Sequence, residues 1–220
     1  MKKRIIIGLV VTALIIGTLA LGACGGKVQE LGGVEVREYK GENLSSINDF
    51  RENSIKGVQN VDIDNYRLEV TGLAVKPASY TYDEVIDDFD NYKKVVSLHC
   101  VEGWDVNILW EGVLVRDILA KAEPLPEANT VIFHAHDGYT TSFPLEYIMD
   151  NDIIMAHKMN DVTIPPERGF PFELVAESKW GYKWIKWITK IELSDDKDYQ
   201  GFWESRGYSD EGDLDKSFFD

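Results

Sequence analysis

Ser97-Leu98-His99-Cys100-Val101-Glu102-Gly103-Trp104 closes a β-like run that begins at Tyr92, and it sets one thiol where extended chain gives way to a polar turn. The chain has 220 residues and two cysteines, the other being Cys24 near the start. Cys100 therefore has no disulfide partner in the body of the protein. A lone cysteine is by itself read as a small buried hydrophobe. The setting points further. His99 and Glu102 flank the thiol, Trp104 and Asp105 follow it, and a distant segment alternates cations with aromatic rings.

Upstream, Met1-Lys2-Lys3-Arg4 precedes an apolar or small run over residues 5–22 that carries no charge, and the run ends in Leu21-Gly22-Ala23-Cys24. A charged start, an apolar stretch and small residues before a cleavage point read as a secretory signal peptide. Cysteine directly after Leu-Gly-Ala resembles the lipobox of bacterial lipoproteins, with Cys24 the lipidated residue. A retained transmembrane anchor is the alternative. On either reading the body is expected on the extracytoplasmic side of the cell membrane, lipid-anchored on the first. An oxidising compartment normally pairs thiols, so a lone one there is expected to be buried or ligated.

The expected organisation is a signal peptide over 1–23, a tether and lead-in run over 24–60, one domain over 61–205, and an acidic tail over 206–220. The formal charge is −15; the leader holds three basic residues and no acid, so the remainder has 20 basic against 38 acidic residues, −18. Such a surface argues against nucleic acid, whose binding requires phosphate neutralisation, and against lying flat on anionic lipid.

Tyr66 to Val70 alternates and closes on Gly72, which predicts a half-buried strand. Thr81-Tyr82-Asp83-Glu84 has the form of a capping box and predicts a short helix to Phe89. Val113 to Ala122 shows helical spacing before Pro124 and Pro126. Thr130 to His136 reads as a strand, turned at Asp137-Gly138 into Tyr139–Phe143. Pro144 opens a short helix through Met149, Asp152–His157 is an apolar run, and Asp161–Gly169 is a loop. Phe170–Ala176 reads as a strand, and Ile185, Trp187, Thr189, Ile191 and Leu193 form one face of a last, long one. Strands with brief helices among them predict α+β with mixed sheets rather than regular βαβ winding.

His134 and His136 share a strand face. With His99, His157 and Cys100 they could build a zinc-like site, but zinc ligands usually cluster more tightly in sequence, and a core or cavity-lining role suits at least one of them better. No nucleophile elbow, P-loop or dinucleotide fingerprint is present, and Asp87-Asp88 and Asp195-Asp196 read as solvated charge. The other informative stretch runs from Arg168 to Ile188, where Lys179, Lys183, Lys186 and Arg168 interleave with Trp180, Tyr182, Trp184 and Trp187. Cations beside aromatic planes suit a flat, phosphorylated heterocycle. Core aromatics with snorkelling lysines fit the same pattern equally well.

Together these segments resemble the molybdopterin-binding domain of the sulfite oxidase family over roughly Tyr66 to Trp203. The landmarks come in the family's order: Leu98-His99-Cys100-Val101-Glu102-Gly103-Trp104; Trp110-Glu111-Gly112-Val113; Asp137-Gly138-Tyr139-Thr140; Met155-Ala156-His157-Lys158-Met159-Asn160; Gly169-Phe170-Pro171; and Gly181-Tyr182-Lys183-Trp184-Ile185-Lys186-Trp187-Ile188. The Cys-Val-Glu-Gly-Trp string is similar to the branch holding the periplasmic methionine-sulfoxide reductase subunit. The resemblance implies a molybdenum–molybdopterin cofactor with Cys100 as metal ligand and catalytic residue, and oxygen-atom transfer on a sulfur-type substrate. It implies cofactor contacts from Lys183, Trp184, Ile185, Thr140 or Thr141, Arg168 and His99, and a redox partner of the membrane haem protein or cytochrome kind. Two departures stand out. The family commonly has His or Asn, then Gly-x-Pro-x, then Arg, where this chain has Arg168 and Glu173. Family members normally cross the membrane folded behind a twin-arginine signal, which Lys2-Lys3-Arg4 is not. A lipoprotein that keeps the fold and binds a ligand or partner without turnover is the second class of function open to the sequence.

Overall fold

In the computed structural model, residues 34–219 are described. The expected leader and the lipidation site at Cys24 lie outside them. Among the described residues, twelve strands and three α-helices follow one another as β1 (Glu38–Tyr39), β2 (Glu42–Asn43), β3 (Leu68–Gly72), β4 (Ala78–Tyr80), α1 (Tyr82–Asp88), β5 (Asn91–His99), β6 (Asp105–Leu114), α2 (Val115–Ala122), β7 (Thr130–Ala135), β8 (Thr140–Pro144), α3 (Leu145–Asp150), β9 (Ile154–Met159), β10 (Val162–Thr163), β11 (Glu173–Val175) and β12 (Ile188–Ser194). The chain is α+β, as its pattern predicts. Among the described residues no helix is long and apolar enough to cross a membrane.

Two five-stranded sheets carry the domain. One runs β10-β9-β6-β5, with β11 also paired to β9, and is antiparallel throughout. The other runs β4-β3-β12-β7-β8 and is mixed, because β12 lies parallel to β3 and antiparallel to β7. β1 and β2 form a separate two-stranded ribbon, tied to β6 where the Asn107 side chain donates to the Asn43 carbonyl at 3.1 Å. Leu68, Ile108, Trp110, Phe133, Phe172 and Ile191 are among the core side chains with no appreciable exposure. Each contributes roughly 1.5–3 kcal/mol by leaving water.

Local chemistry explains several of these elements. The Thr81 hydroxyl accepts from the Glu84 N–H at 3.2 Å while the Glu84 carboxylate accepts from the Thr81 N–H at 2.7 Å, completing the capping box that starts α1. The β7–β8 hairpin turns where Gly138 takes φ +88° and the Asp137 carboxylate accepts from the Tyr139 N–H at 2.9 Å. At Gly112 a Cβ would fall 2.1 Å from the Met155 carbonyl oxygen, so only glycine lets β6 and β9 meet at their register shift.

Three sequence expectations shift. Residues 105–114 form a strand, so the following helix starts at Val115 rather than Val113. The last strand begins at Ile188, because Gly181–Lys183 coil into a single 3-10 turn and Trp187 takes φ +54°. The runs at either end of the expected domain are also built into it. Leu44, Ile47 and Phe50 are buried, Tyr208 and Phe219 pair across the tail, and the Trp180 N–H donates to the Gly212 carbonyl at 2.8 Å.

Candidate active site

β5 ends at His99, and Cys100 begins a tight turn. Its N–H donates to the Trp104 carbonyl at 2.9 Å, and its own carbonyl accepts from the Gly103 N–H at 3.0 Å, with Gly103 at φ +84°. The turn holds Sγ at one wall of a cleft of about 470 Å³. That size suits a cofactor or a drug-sized ligand. Cys100 is free and 8% exposed. The Asn53 side-chain amide approaches its sulfur at 3.7 Å. Burial pushes the thiol above its ordinary value; a backbone N–H at Glu102, the Asn53 amide and the Arg51 charge pull the other way, and the Glu102 charge adds to the rise. A bound soft cation would reverse that balance and hold the thiolate.

The stretch around and after the Gly181–Lys183 3-10 turn lines the same cleft, with Gly181 packed beside Cys100. Trp184, Ile185, Lys186 and Trp187 all line the cleft. Trp184 is fixed through its indole N–H to the Lys179 carbonyl at 3.0 Å, and Trp187 through its own to the Pro166 carbonyl at 2.7 Å. Lys186 lies 4.4 Å from the Trp187 ring centre and donates to Glu52 at 2.9 Å. Arg168 stacks its guanidinium 4.1 Å over Phe50 and donates from Nε to the Ile47 carbonyl at 2.8 Å and from a terminal nitrogen to the Phe50 carbonyl. Glu173, also on the wall, is nine-tenths or more buried, and burial pushes its carboxyl up to about 8 against the pull of Lys186 and Arg168. Trp104, Tyr139, Trp203 and Tyr208 add further aromatic lining.

Of the residues expected to hold a cofactor, Cys100, Trp184, Ile185 and Arg168 share this cleft. Three do not line it. Lys183 has no exposure and points into the protein, donating to Glu204 at 2.7 Å and to the carbonyls of Ser142 and Asp210 at 2.8 and 2.9 Å. Its three protons are taken, and none is left for a cofactor phosphate. Thr140 is drawn toward the chain after β12, accepting from the Tyr199 hydroxyl at 3.0 Å, and the neighbouring Thr141 donates to Glu204 at 2.6 Å. Strand alternation turns His99 away from the cleft, since Leu98 and Cys100 on either side of it are both lining residues. His134, His136 and His157 go separate ways, to Glu192, Gln59 and Asn91. Sequence reasoning missed Arg51, Glu52, Asn53 and Ser54, which form part of the wall from a run read as a lead-in. No local pattern marks them.

Residues 55–203 match the family described as oxidoreductase molybdopterin binding domain. An uncharacterized oxidoreductase, YuiH of Bacillus subtilis, is 34% identical over 153 residues, covering 69% of this chain and 76% of its own. The protein-methionine-sulfoxide reductase catalytic subunit MsrP of Gluconobacter oxydans is 29% identical over 147 residues, 59% of this chain and 47% of its own length. The crystal structure of the sulfane dehydrogenase SoxCD from Paracoccus pantotrophus superposes with a TM-score of 0.62 at 23% identity, over 70% of this chain and 43% of that one, and shares the fold. The chain thus spans about half the length of the latter two. It belongs to the molybdopterin-binding oxidoreductases of the sulfite oxidase family, which favours an enzyme over the non-catalytic alternative.

Proposed function

We propose, with membership of that family as the premise, that the protein moves an oxygen atom to or from a sulfur centre, with sulfoxide reduction the favoured direction. The observation that carries this is the placement of Cys100: a free, buried thiol on the wall of a cleft that Trp184 and Trp187 also line. When bound, a molybdenum–molybdopterin group supplies two-electron oxygen-atom transfer. The residues present fit it. Cys100 offers one soft anionic ligand, as such a metal prefers, and Asn53 fixes the direction of its sulfur. Trp184, Ile185 and Trp187 offer a rigid apolar wall for a flat ring system, and Lys186 and Arg51 bring positive charge to the same cavity. Trp104, Tyr139, Trp203 and Tyr208 add aromatic surface to the cleft, which favours an apolar sulfur substrate.

The relative from Gluconobacter oxydans is named a catalytic subunit, which supports a separate electron-delivering partner here, of the membrane haem protein or cytochrome class. Anchoring through lipid on Cys24 is part of the same reading and is supported by Leu21-Gly22-Ala23-Cys24. Mass spectrometry of the mature N-terminus checks it: a diacylglycerol-modified Cys24 is expected, and an unmodified chain from Met1 refutes it. For the site, the decisive measurement is molybdenum and pterin content of protein purified from its native host, with oxidation of a reduced dye in the presence of a sulfoxide. Cys100→Ser is expected to lose turnover entirely. Little molybdenum in molybdate-fed cells, with Cys100→Ser behaving as wild type, would remove the reading.

A further inference from the structure

One buried acid in the cleft has no part in that scheme. Glu173 opens β11, and its Oε2 is buried with no hydrogen-bond partner among the described residues. Two cations stand against it. Lys186 and Glu173 both border Gly169, where an added Cβ would meet them at 3.1 and 3.2 Å, and the charges of Lys186 and Arg168 both act on the Glu173 carboxyl. Neither cation bonds to it: Lys186 donates to Glu52, and Arg168 to the carbonyls of Ile47 and Phe50. The other charged residues lining the cleft are Arg51, Glu52, Glu102, Asp137 and Glu167. Across the strand pair Glu173 faces Ala156, and the next residue, His157, is kept neutral by burial and bonded to Asn91.

A buried carboxylate without a donor is costly, whereas the neutral acid has an O–H that needs an acceptor. No described residue supplies one, and Glu173 lines the cleft, where a bound ligand can; the neighbouring charges of Lys186 and Arg168 favour an anionic one. We propose that Glu173 works in this cleft as an uncharged carboxylic acid, donating its O–H to the oxyanion end of the ligand, so that the anion is held together with a proton. This rests on the reading above, in which the ligand is a phosphorylated pterin. An arginine at this position, common in the family, would bind the same anion without any proton. On ionisation the proton leaves to solvent and the carboxylate repels the oxyanion.

Sulfate is a suitable probe for the cofactor-free full chain, because its charge is constant between about pH 6 and about pH 9. In titration calorimetry the sulfate Kd is expected to rise about tenfold per pH unit once Glu173 ionises. Glu173→Gln, which keeps a neutral donor, should bind sulfate with no such slope. A protonated-carboxyl infrared band present near neutral pH, shifted by sulfate and missing in Glu173→Gln, is the second readout. The proposal is overturned by an equal pH slope in wild type and Glu173→Gln, by failure of the wild type to bind sulfate at about pH 6, or by an ionised Glu173 at neutral pH. Loss of sulfate binding in pterin-loaded protein assigns the anion to the cofactor's phosphate; binding that survives loading overturns that half. If native protein carries no pterin, the proposed function fails while sulfate still decides the role of Glu173. If wild type retains pterin equally at both ends of the range, Glu173 fails and the function stands.

Discussion

Lys183 and Lys186 come from one motif three residues apart, and they occupy opposite kinds of place. The first is sealed, its ammonium bonded to a carboxylate and two carbonyls, with Thr141 donating to the same Glu204 oxygen. The second lies at the cleft with one partner, Glu52, and an indole face beside it. Each place also has a buried glutamate. Glu204 is matched by a direct ion pair through one oxygen, while its other oxygen, like that of Glu173, is buried without a hydrogen-bond partner among the described residues. Glu173 has neighbouring cations but no bond to either. The difference separates charge that builds the fold from charge that awaits a ligand.

The largest expected effect tests the sealed side. Lys183→Met leaves Glu204 buried without its counter-ion, and about 3–5 kcal/mol of unfolding free energy should be lost. Pterin occupancy at a permissive temperature should hold. Thermal denaturation near wild type, with lost occupancy, would reverse the two roles.

Next is the pH dependence around Glu173. Below its ordinary value of 4.5 the acid is protonated in both folded and unfolded chains; between there and about 8 only the folded chain keeps the proton. Stability therefore falls as pH rises through that window, by an amount on the order of 5 kcal/mol. Glu173→Gln should remove this loss, so its advantage in urea unfolding grows from about pH 5 to about pH 8. His157 has the opposite sign: burial lowers its pKa to about 4, and stability is lost as pH falls from 6.5 toward that value. An advantage of Glu173→Gln that does not change with pH would mean the acid is ionised throughout.

Lys186→Ala sharpens the contrast from the cleft side. The Lys186–Glu52 pair is partly exposed, so its loss should cost no more than about 1 kcal/mol. Pterin occupancy should drop about tenfold, as for one charge-assisted hydrogen bond. Equal effects of Lys183→Met and Lys186→Ala on melting would erase the distinction. The smallest effect is expected for Thr140→Val, which removes one hydrogen bond from Tyr199 and should cost about 1 kcal/mol with no change in occupancy.

Much of this was legible where chemistry is local. The capping box at Thr81, the Asp137-Gly138 hairpin and the strand end before Cys100 each depend on a few adjacent residues. β6 was not legible, because a strand between β5 and β9 is buried on both faces beyond Asn107 and does not alternate. The wall around Asn53 was hidden for another reason. Its contact is with a residue 47 positions away in sequence, and nothing in a polar stretch announces that. The fates of Lys183 and Lys186 depend on a 3-10 turn and on the positive φ of Trp187, an unusual conformation for a tryptophan.

The mixed sheet has a consequence in time. Its central strand, β12, sets Ile191 beside Val70 of β3, so the earlier strand must wait through most of synthesis for its neighbour. The cleft waits longer. Cys100 emerges well before Trp184 and Trp187, which line the same cleft, and Trp203 and Tyr208 come later still. A half-made chain therefore presents a bare thiol and no pocket. Ligand capture belongs to the finished chain alone, and any route that moves the protein to its workplace unfolded must fill the cleft at the destination.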